Sequence, residues 1–180
     1  MLGRISGLLL VCSVSCASSG KKPNAAHYGD DVVARGGELR VEEMPGAGVQ
    51  VTEEGLVVWA MTELPGNSRM QAAHAAIDAI TRAELIKFLE VHVASLMEDV
   101  ATDDAQHIEL TTVEAVHGTI IGSAPIRHGW VKARREGDIV LRLVARMDVP
   151  KAMLENAITS EPRLAGDAPW LLKAMLEATP

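Results

Sequence analysis

The chain has 180 residues, enough for one domain with extensions, and 48% of them are apolar. A folded core is therefore expected, although only 3% of the residues are aromatic. The net charge of −7 and the shortness of the densest basic run, residues 132–135, argue against nucleic-acid binding, since such proteins usually carry a clustered basic excess.

The amino terminus has the three-part layout of a secretion signal. Residues 1–4 carry one positive side chain, residues 5–14 are mostly apolar, and small polar residues follow them. The apolar part is about ten residues long, whereas a membrane-spanning helix needs about twenty. The pattern therefore predicts a signal peptide over residues 1–15 that is removed after export.

Cys16 is the predicted site of lipid attachment. It ends the stretch "SVSC", which resembles the lipobox of bacterial lipoproteins, although Ser13 stands where that box usually has Leu. The small Ser15 suits the position before the cut. Cleavage there leaves Cys16 at the new amino terminus, where its thiol can carry a diacylglycerol and the freed amine can take a further chain such as palmitate. Several chains give lasting membrane attachment.

Other interpretations of the two cysteines remain open. Cys12 fits the lipobox less well because the bulky Val11 precedes it, and the three residues between the cysteines exclude a CxxC redox pair. An ordinary signal peptide with unused cysteines and an uncleaved cytosolic protein are the alternatives to a lipoprotein. The residue after the acylated cysteine is Ala17 and not Asp, which resembles the sorting signal of outer-membrane lipoproteins. The expected location of a chain acylated at Cys16 is therefore the outer membrane of a bacterial envelope, facing the periplasm.

Residues 16–52 are predicted to form a lipidated tether. The stretch "ASSGKKPNAAHYGDD" is polar and has no periodicity, which is typical of a flexible segment. Apolar residues on both sides of "PGAG" allow one short hairpin late in this range. The run "GLVVWAM", residues 55–61, is continuous and β-branched and predicts a buried strand.

A long helix is predicted from residue 69 to about residue 100. This range is rich in Ala and contains neither Gly nor Pro, and a short polar side chain at Asn67 or Ser68 can cap its start. Apolar residues spaced by three or four positions give the helix a core-facing stripe. These residues are Leu85, Leu89, Val93, Leu96 and Val100.

Two strands and a helix are predicted after the long helix. Residues 107–122 are rich in Ile, Val and Thr, which favours a strand, and residues 123–138 are interpreted as a connection. Residues 139–149 alternate strictly between an apolar face and a mixed face, as a strand with one buried face does. Pro150 ends that strand and leads into a helix over residues 151–159.

The order of elements predicts an α+β fold of strand, long helix, strand, strand and helix. A mainly antiparallel, three-stranded sheet covered by helices buries the apolar stripes. The domain is expected to span residues 53–160, and residues 161–180 are expected to form a carboxy-terminal helical tail. In that tail Trp170, with Leu171 and Leu172, either anchors a partner or docks on its own domain.

Two stretches of the chain resemble the LPP-twenty family of membrane-associated bacterial lipoproteins, which is related to the amino-terminal domain of the flagellar assembly protein FlgT. One is "LVVWAM" with the Ala-rich "AAHAAIDAITRAELIKFLEVHVASLMED", and the other is "HGWVKARREGDIVLRLVARMDVPKAMLENAI". The likeness covers residues 54–158, with Trp130, Arg146 and Asp148 at corresponding positions. It implies a non-enzymatic module of an envelope or motility assembly and carries over no catalytic residue.

The sequence contains no recognised metal-binding or catalytic motif. None of the six histidines has the spacing of a metal-ligand pair, and neither HExxH nor GxSxG occurs. His117 and His128 flank one predicted connection and can approach each other. The six are His27, His74, His92, His107, His117 and His128. No catalytic, cofactor-binding or metal-binding residue is therefore assigned.

The expected function is that of a non-catalytic module for interaction or assembly in the envelope, anchored through acyl chains on Cys16. It binds another envelope protein or a second copy of itself, through a sheet edge or the carboxy-terminal helix. The basic side chains of Lys132, Arg134 and Arg135 contact lipid head groups or an acidic partner, or form a polar hairpin tip. The alternative is a small periplasmic ligand-binding protein or envelope enzyme whose site combines scattered histidines and carboxylates.

Overall fold

The computed structural model describes residues 31–98, 105–120, 123–164, 166, 171–173 and 176. Five strands and three α-helices form an α+β domain in this part of the chain. In chain order they are β1 (Val32–Gly37), β2 (Gly48–Thr52), β3 (Gly55–Pro65), α1 (Met70–Glu98), α2 (Ala105–Ile120), β4 (Ile126–Arg135), β5 (Asp138–Pro150) and α3 (Lys151–Thr159). One turn of 3-10 helix over Val41–Glu43 lies between β1 and β2.

The five strands form one antiparallel sheet in the order β1-β4-β5-β3-β2. The pairing of β3 with β5 runs from Gly55 opposite Pro150 to Pro65 opposite Val140. β5 is therefore the central strand, paired on both sides, whereas β1 and β2 are the outer strands. The strict alternation of β5 follows from this position, because one of its faces is buried from Leu141 to Val149.

The prediction of a three-stranded sheet is wrong, since the sheet has five strands. Residues 107–122, predicted as a strand, belong largely to helix α2. Thr112, Val116 and Ile120 are buried at a spacing of four, so packing of one helical face outweighs the strand preference of Thr, Val and Ile. The Thr112 hydroxyl donates to the Ile108 carbonyl at 2.7 Å, a bond that threonine can make inside a helix.

Three of the five strands lie in ranges that were assigned other roles. β4 occupies most of residues 123–138, predicted as a connection, and β1 and β2 lie within residues 16–52, predicted as a tether. The hairpin expected around "PGAG" is replaced by a hairpin of β2 with β3, in which Thr52 lies opposite Gly55. These strands lack a clear alternation because β4 carries charged side chains on both faces and the outer strands bury little.

The predictions for β3, α1, β5 and α3 are confirmed. Three residues of the predicted α1 stripe, Leu85, Leu89 and Val93, are buried in the core. The other two, the side chain of Leu96 and Val100, lie outside the described residues.

α1 and α3 pack against one face of the sheet, and α2 packs against α1 and α3. The larger core cluster joins all three to β3 and β5 and includes Leu56, Leu89 and Met147. A smaller cluster joins Ile77, near the start of α1, to Leu143 of β5. α1 therefore lies across both clusters and holds the helical layer to the centre of the sheet.

The carboxy-terminal tail contributes to the larger cluster. Leu171 is fully buried there, and Leu172 and Leu176 pack against it. These leucines therefore dock on their own domain. Trp170, which was expected to act with them, lies outside the described residues.

The opposite face of the sheet is covered near its centre by the segment that follows β1. Val41 packs there against Val131 and Val144, and all three are buried. The backbone of Leu39 lies so close to Gly129 that a Cβ atom at position 129 would overlap the Leu39 carbonyl group. We call this face, whose strand side chains point away from the helices, the open face.

Candidate functional site

Four side chains from three strands meet on the open face. They are Trp59 of β3, Arg127 of β4, and Arg146 and Asp148 of β5, and we call them the Asp148 cluster. Arg127 donates from Nη2 to one carboxylate oxygen of Asp148 at 2.6 Å, and Arg146 donates from Nε to the other at 2.8 Å. The Arg146 guanidinium lies 5.3 Å from the ring centre of Trp59, within the range of a cation–π contact.

The register of the sheet brings the Asp148 cluster together. Arg146 lies opposite Trp59 on one side and opposite Arg127 on the other. Two like charges directly opposite each other repel, and Asp148, two positions further along the same face, offsets part of that charge. One carboxylate between two guanidinium groups leaves a net positive charge. The side chains of Arg127 and Asp148 are 42% and 36% exposed, so solvent and partners can reach them.

A second cluster with the same composition lies at the other end of the open face. Glu63 of β3 accepts hydrogen bonds from Arg142 at 2.8 Å and from Arg135 at 3.3 Å. The bond from Arg142 is the main cause that lowers the pKa of Glu63, the charges of both arginines act in the same direction, and burial opposes them. We call these three residues the Glu63 cluster. Each end of the open face thus holds one carboxylate between two arginines.

The open face has more arginines than acids, although the whole chain carries a net charge of −7. Guanidinium groups bond carboxylates in pairs and stack on aromatic rings, so this face suits a partner with such groups. The strand arginines of the face are Arg35, Arg127, Arg135, Arg142 and Arg146, and its strand acids are Glu63, Asp138 and Asp148.

A cleft of about 600 Å³ adjoins the Asp148 cluster at the turn between β2 and β3. Arg146 and Asp148 contribute to its lining together with Glu53 and Glu54. Because carboxylates outnumber guanidinium groups in this lining, charge complementarity favours a neutral or cationic group in the cleft over an anion.

Two histidines and one aspartate join α1 to β4 on the helix-covered face. Nε2 of His128 lies 2.6 Å from Oδ1 of Asp78, and the rings of His128 and His74 stack with their centres 4.5 Å apart. His74 and Asp78 are four residues apart, so α1 presents both to the same strand. Nε2 of His74 is buried and has no hydrogen-bond partner in the described part of the chain. We call these three residues the histidine cluster.

The free energy of unfolding is expected to fall as the pH drops below about 6.5, the ordinary histidine pKa. Burial is the main cause that lowers the pKa of His74; His128 acts in the same direction and Asp78 opposes it. Burial also lowers the pKa of His92. A histidine with a lowered folded-state pKa binds fewer protons than in the unfolded chain, so stability present above the unfolded-state pKa is lost as the pH falls through the folded-state pKa.

Urea unfolding at about pH 7.5 and about pH 5.5 measures this loss through the extrapolated free energies. The double variant His74→Gln/His92→Gln should lose less stability over the interval than the unaltered protein. The single variants separate the two contributions. If the double variant keeps the full pH dependence, other groups are responsible for it.

The histidines of the sequence take different places in the fold. His117 is exposed on α2, and His128 pairs with Asp78 instead of with His117. His92 stacks on Phe88 with ring centres 4.4 Å apart. His117 and His128 therefore do not pair with each other, and His128 belongs to the histidine cluster instead.

Cys16, the predicted site of lipid attachment, lies outside the described part of the chain. His27 and the side chain of His107 lie outside it as well. Within the described ranges, no three side chains of the metal-ligating kind converge on one point.

The structure brings together two of the three residues that the family resemblance singles out. Arg146 and Asp148 both belong to the Asp148 cluster. Trp130 points to the helix-covered face, where its indole ring lies against Gly36 of β1. A Cβ atom at position 36 would come within 2.8 Å of that ring, so glycine leaves the room that Trp130 occupies.

Sequence reasoning did not find Trp59, Arg127 or Asp78. Two signals were available for the last two. The first signal is the pair Glu136-Gly137, which allows a two-residue hairpin turn, and the structure has that turn, with φ of 53° and 98°. A hairpin there would have predicted a strand before residue 136 that includes Arg127. Asp78 follows His74 by four residues on a helix, a spacing that places two side chains on one face.

Comparisons of the chain with protein-family models, with curated proteins and with solved structures found no match. Among the residues that the structure describes, no helix has both the length and the apolar character needed to cross a bilayer.

Proposed function

We propose that this chain is a bacterial lipoprotein that binds another envelope protein and does not catalyse a reaction. Cys16 holds it in the outer membrane on the periplasmic side, and the open face of the sheet is its binding surface. The observation that carries the binding role is the arrangement of the open face, where two ordered arginine–carboxylate clusters flank the covering segment around the buried Val41.

The anchoring role is supported by the sequence around Cys16 and by the resemblance to a lipoprotein family. Residues 17–31 separate this cysteine from β1. At about 3.5 Å per extended residue, they span at most about 50 Å. An anchored domain therefore works close to the membrane and meets proteins of the same leaflet or of the periplasm beside it.

The chemistry of the open face points to a partner with carboxylates and apolar groups. Arginine is over-represented among the residues that dominate binding energies. Arg146 presents its guanidinium from a position above Trp59, whose ring is itself only 9% exposed. Met61 lies on the same face between the two clusters and is 46% exposed. Its flexible thioether can fit the shape of a partner side chain.

A photoreactive amino acid at Met61 is expected to cross-link one protein of defined mass in intact cells. Val91 on α1 is the matched control, because it is 63% exposed but lies on the helical side. The product at Met61 should be weaker in the variant Arg146→Ala, which removes the stacked guanidinium of the Asp148 cluster.

The proposal of binding through the open face would be wrong if both positions gave the same products. It would also be wrong if position 61 gave no product while Cys16 remained acylated. Acylation is measured in the same cells by incorporation of a palmitate analogue, so loss of the anchor is distinguished from loss of the partner.

The histidine cluster favours a second candidate function, that of a periplasmic ligand-binding protein or an envelope enzyme. A carboxylate such as that of Asp78 orients an imidazole and sets which ring nitrogen holds the proton, as proton-transfer sites require. If this function holds, small metabolites added to the protein should shift the ring signals of His74 and His128 in NMR spectra. The signals of His92, stacked elsewhere on α1, should stay in place.

A further inference from the structure

We infer that the end of the sheet at which β1 begins docks on the head groups of the bilayer that holds Cys16; the inference rests on the proposed acylation. We call this end the entry end, and it comprises residues 31–33, 63–67 and 134–140. The antiparallel pairing places the start of β1, the end of β3 and the turn between β4 and β5 side by side there.

Exposed apolar side chains concentrate at the entry end. Of the six large apolar side chains that are exposed within the described residues, three lie here: Val32, Val33 and Ile139, which are 44%, 53% and 42% exposed. The register between β1 and β4 shifts at Val33, which leaves this residue unpaired in a bulge. Apolar groups of this kind leave water when they reach the boundary between head groups and acyl chains.

Basic side chains lie at the tip of the same end. Arg134 and Arg135 are exposed, and the backbone N–H of Arg134 donates to the carbonyl of Asp31 at 3.2 Å, which fixes the start of β1 beside them. Guanidinium groups bond phosphate oxygens in pairs. Asp31, Glu63, Glu136 and Asp138 also lie at this end and outnumber the two arginines. The apolar side chains therefore drive the docking, which should not strengthen when anionic lipid is added.

Because the domain is connected to the anchored Cys16, a weak contact is sufficient to keep the entry end on the bilayer. Residues 17–31 reach at most about 50 Å, so an anchored molecule cannot move its entry end far from the bilayer. A second contact that is linked to an anchor forms at an effective concentration of about millimolar. A free protein partner has no such advantage at this end, which favours the lipid surface as the occupant.

The opposite end of the sheet provides an internal reference. β3 has 11 residues, and at the rise of a strand they cover about 35 Å. Glu53, in the turn before β3, is therefore about that distance from the entry end and should stay in water when the entry end is docked.

Spin-label measurements of depth on the natively acylated protein in vesicles test the inference. Acylation consumes the thiol of Cys16, and removal of the signal peptide removes Cys12, so a cysteine introduced at Val33, Ile139 or Glu53 is the one labelling site. For each label, the accessibility to oxygen is divided by the accessibility to a water-soluble nickel reagent. This ratio should be several-fold higher for labels at positions 33 and 139 than for the label at position 53. This should hold in phosphatidylcholine vesicles, and the ratio should not rise in vesicles that also contain phosphatidylglycerol.

The variant Ile139→Asp, labelled at position 33, should lose most of the elevated ratio, because it places a charge in the apolar part of the entry end. Water-like ratios at all three positions would overturn the inference. Labels at 33 and 139 that are shielded from both reagents would overturn it as well, since they would report contact between protein copies. A second reactive thiol in the mass spectrum would instead overturn the acylation at Cys16.

Discussion

The variant Cys16→Ser is expected to lose palmitate labelling completely and, with it, lasting membrane attachment. A serine hydroxyl cannot form the thioether that holds the diacylglycerol, and the amino-terminal amine is not freed for a further chain. Several acyl chains give lasting attachment, whereas a protein without them has no comparable anchor. Incorporation of a palmitate analogue and the partition of the protein between membrane and soluble fractions measure both effects.

Cys12→Ser is the matched control, since it removes the other cysteine and leaves the "SVSC" stretch intact. It should label and sediment like the unaltered protein. Labelling that survives Cys16→Ser, or that is lost in Cys12→Ser, would assign the lipid to another residue and remove the basis of the proposed anchoring.

The variant Leu89→Ala is expected to destabilise the domain by about 2–5 kcal/mol, because it leaves a cavity in the larger core cluster. Leu89 of α1 is fully buried, and the cluster around it contains residues of β3, β5, α2 and α3. A loss at this point therefore weakens the packing of α1 against the sheet and against α2. Chemical unfolding, followed by the helical circular dichroism signal, measures the change.

Val91→Ala is the control on the same helix. Val91 is two residues away and 63% exposed, so its truncation should change the free energy of unfolding by less than about 0.5 kcal/mol. Similar losses in both variants would mean that α1 does not present the face described here to the sheet.

Elements with one continuous buried face were predictable from the sequence. β5 and α1 carry such faces, with period two and with spacings of three and four, and both were predicted close to their bounds. α2 was not, because its residues prefer strands and its helical stripe includes the buried threonines Thr111 and Thr112. β1 and β2 are short outer strands that bury few apolar side chains, so their local patterns resemble those of loops.

The open face was predictable only in part. Arg146 and Asp148 were singled out by the family resemblance, but the residues that complete their cluster, Trp59 and Arg127, come from other strands. Which residues face each other across a sheet depends on register, and register is set by the packing of the whole domain. The prediction for Cys16 does not depend on the fold, because it is based on a local sequence pattern.

If the proposed anchoring at Cys16 holds, the outer strands have a consequence for copies crowded in two dimensions. A long, regular strand edge can template the pairing of further chains and start aggregation. β1 is interrupted by the register shift at Val33, and β2 has 5 residues and begins at a glycine. Neither strand offers a long row of free backbone groups. Neighbouring molecules can therefore collide at high surface density without their sheets fusing into fibrils.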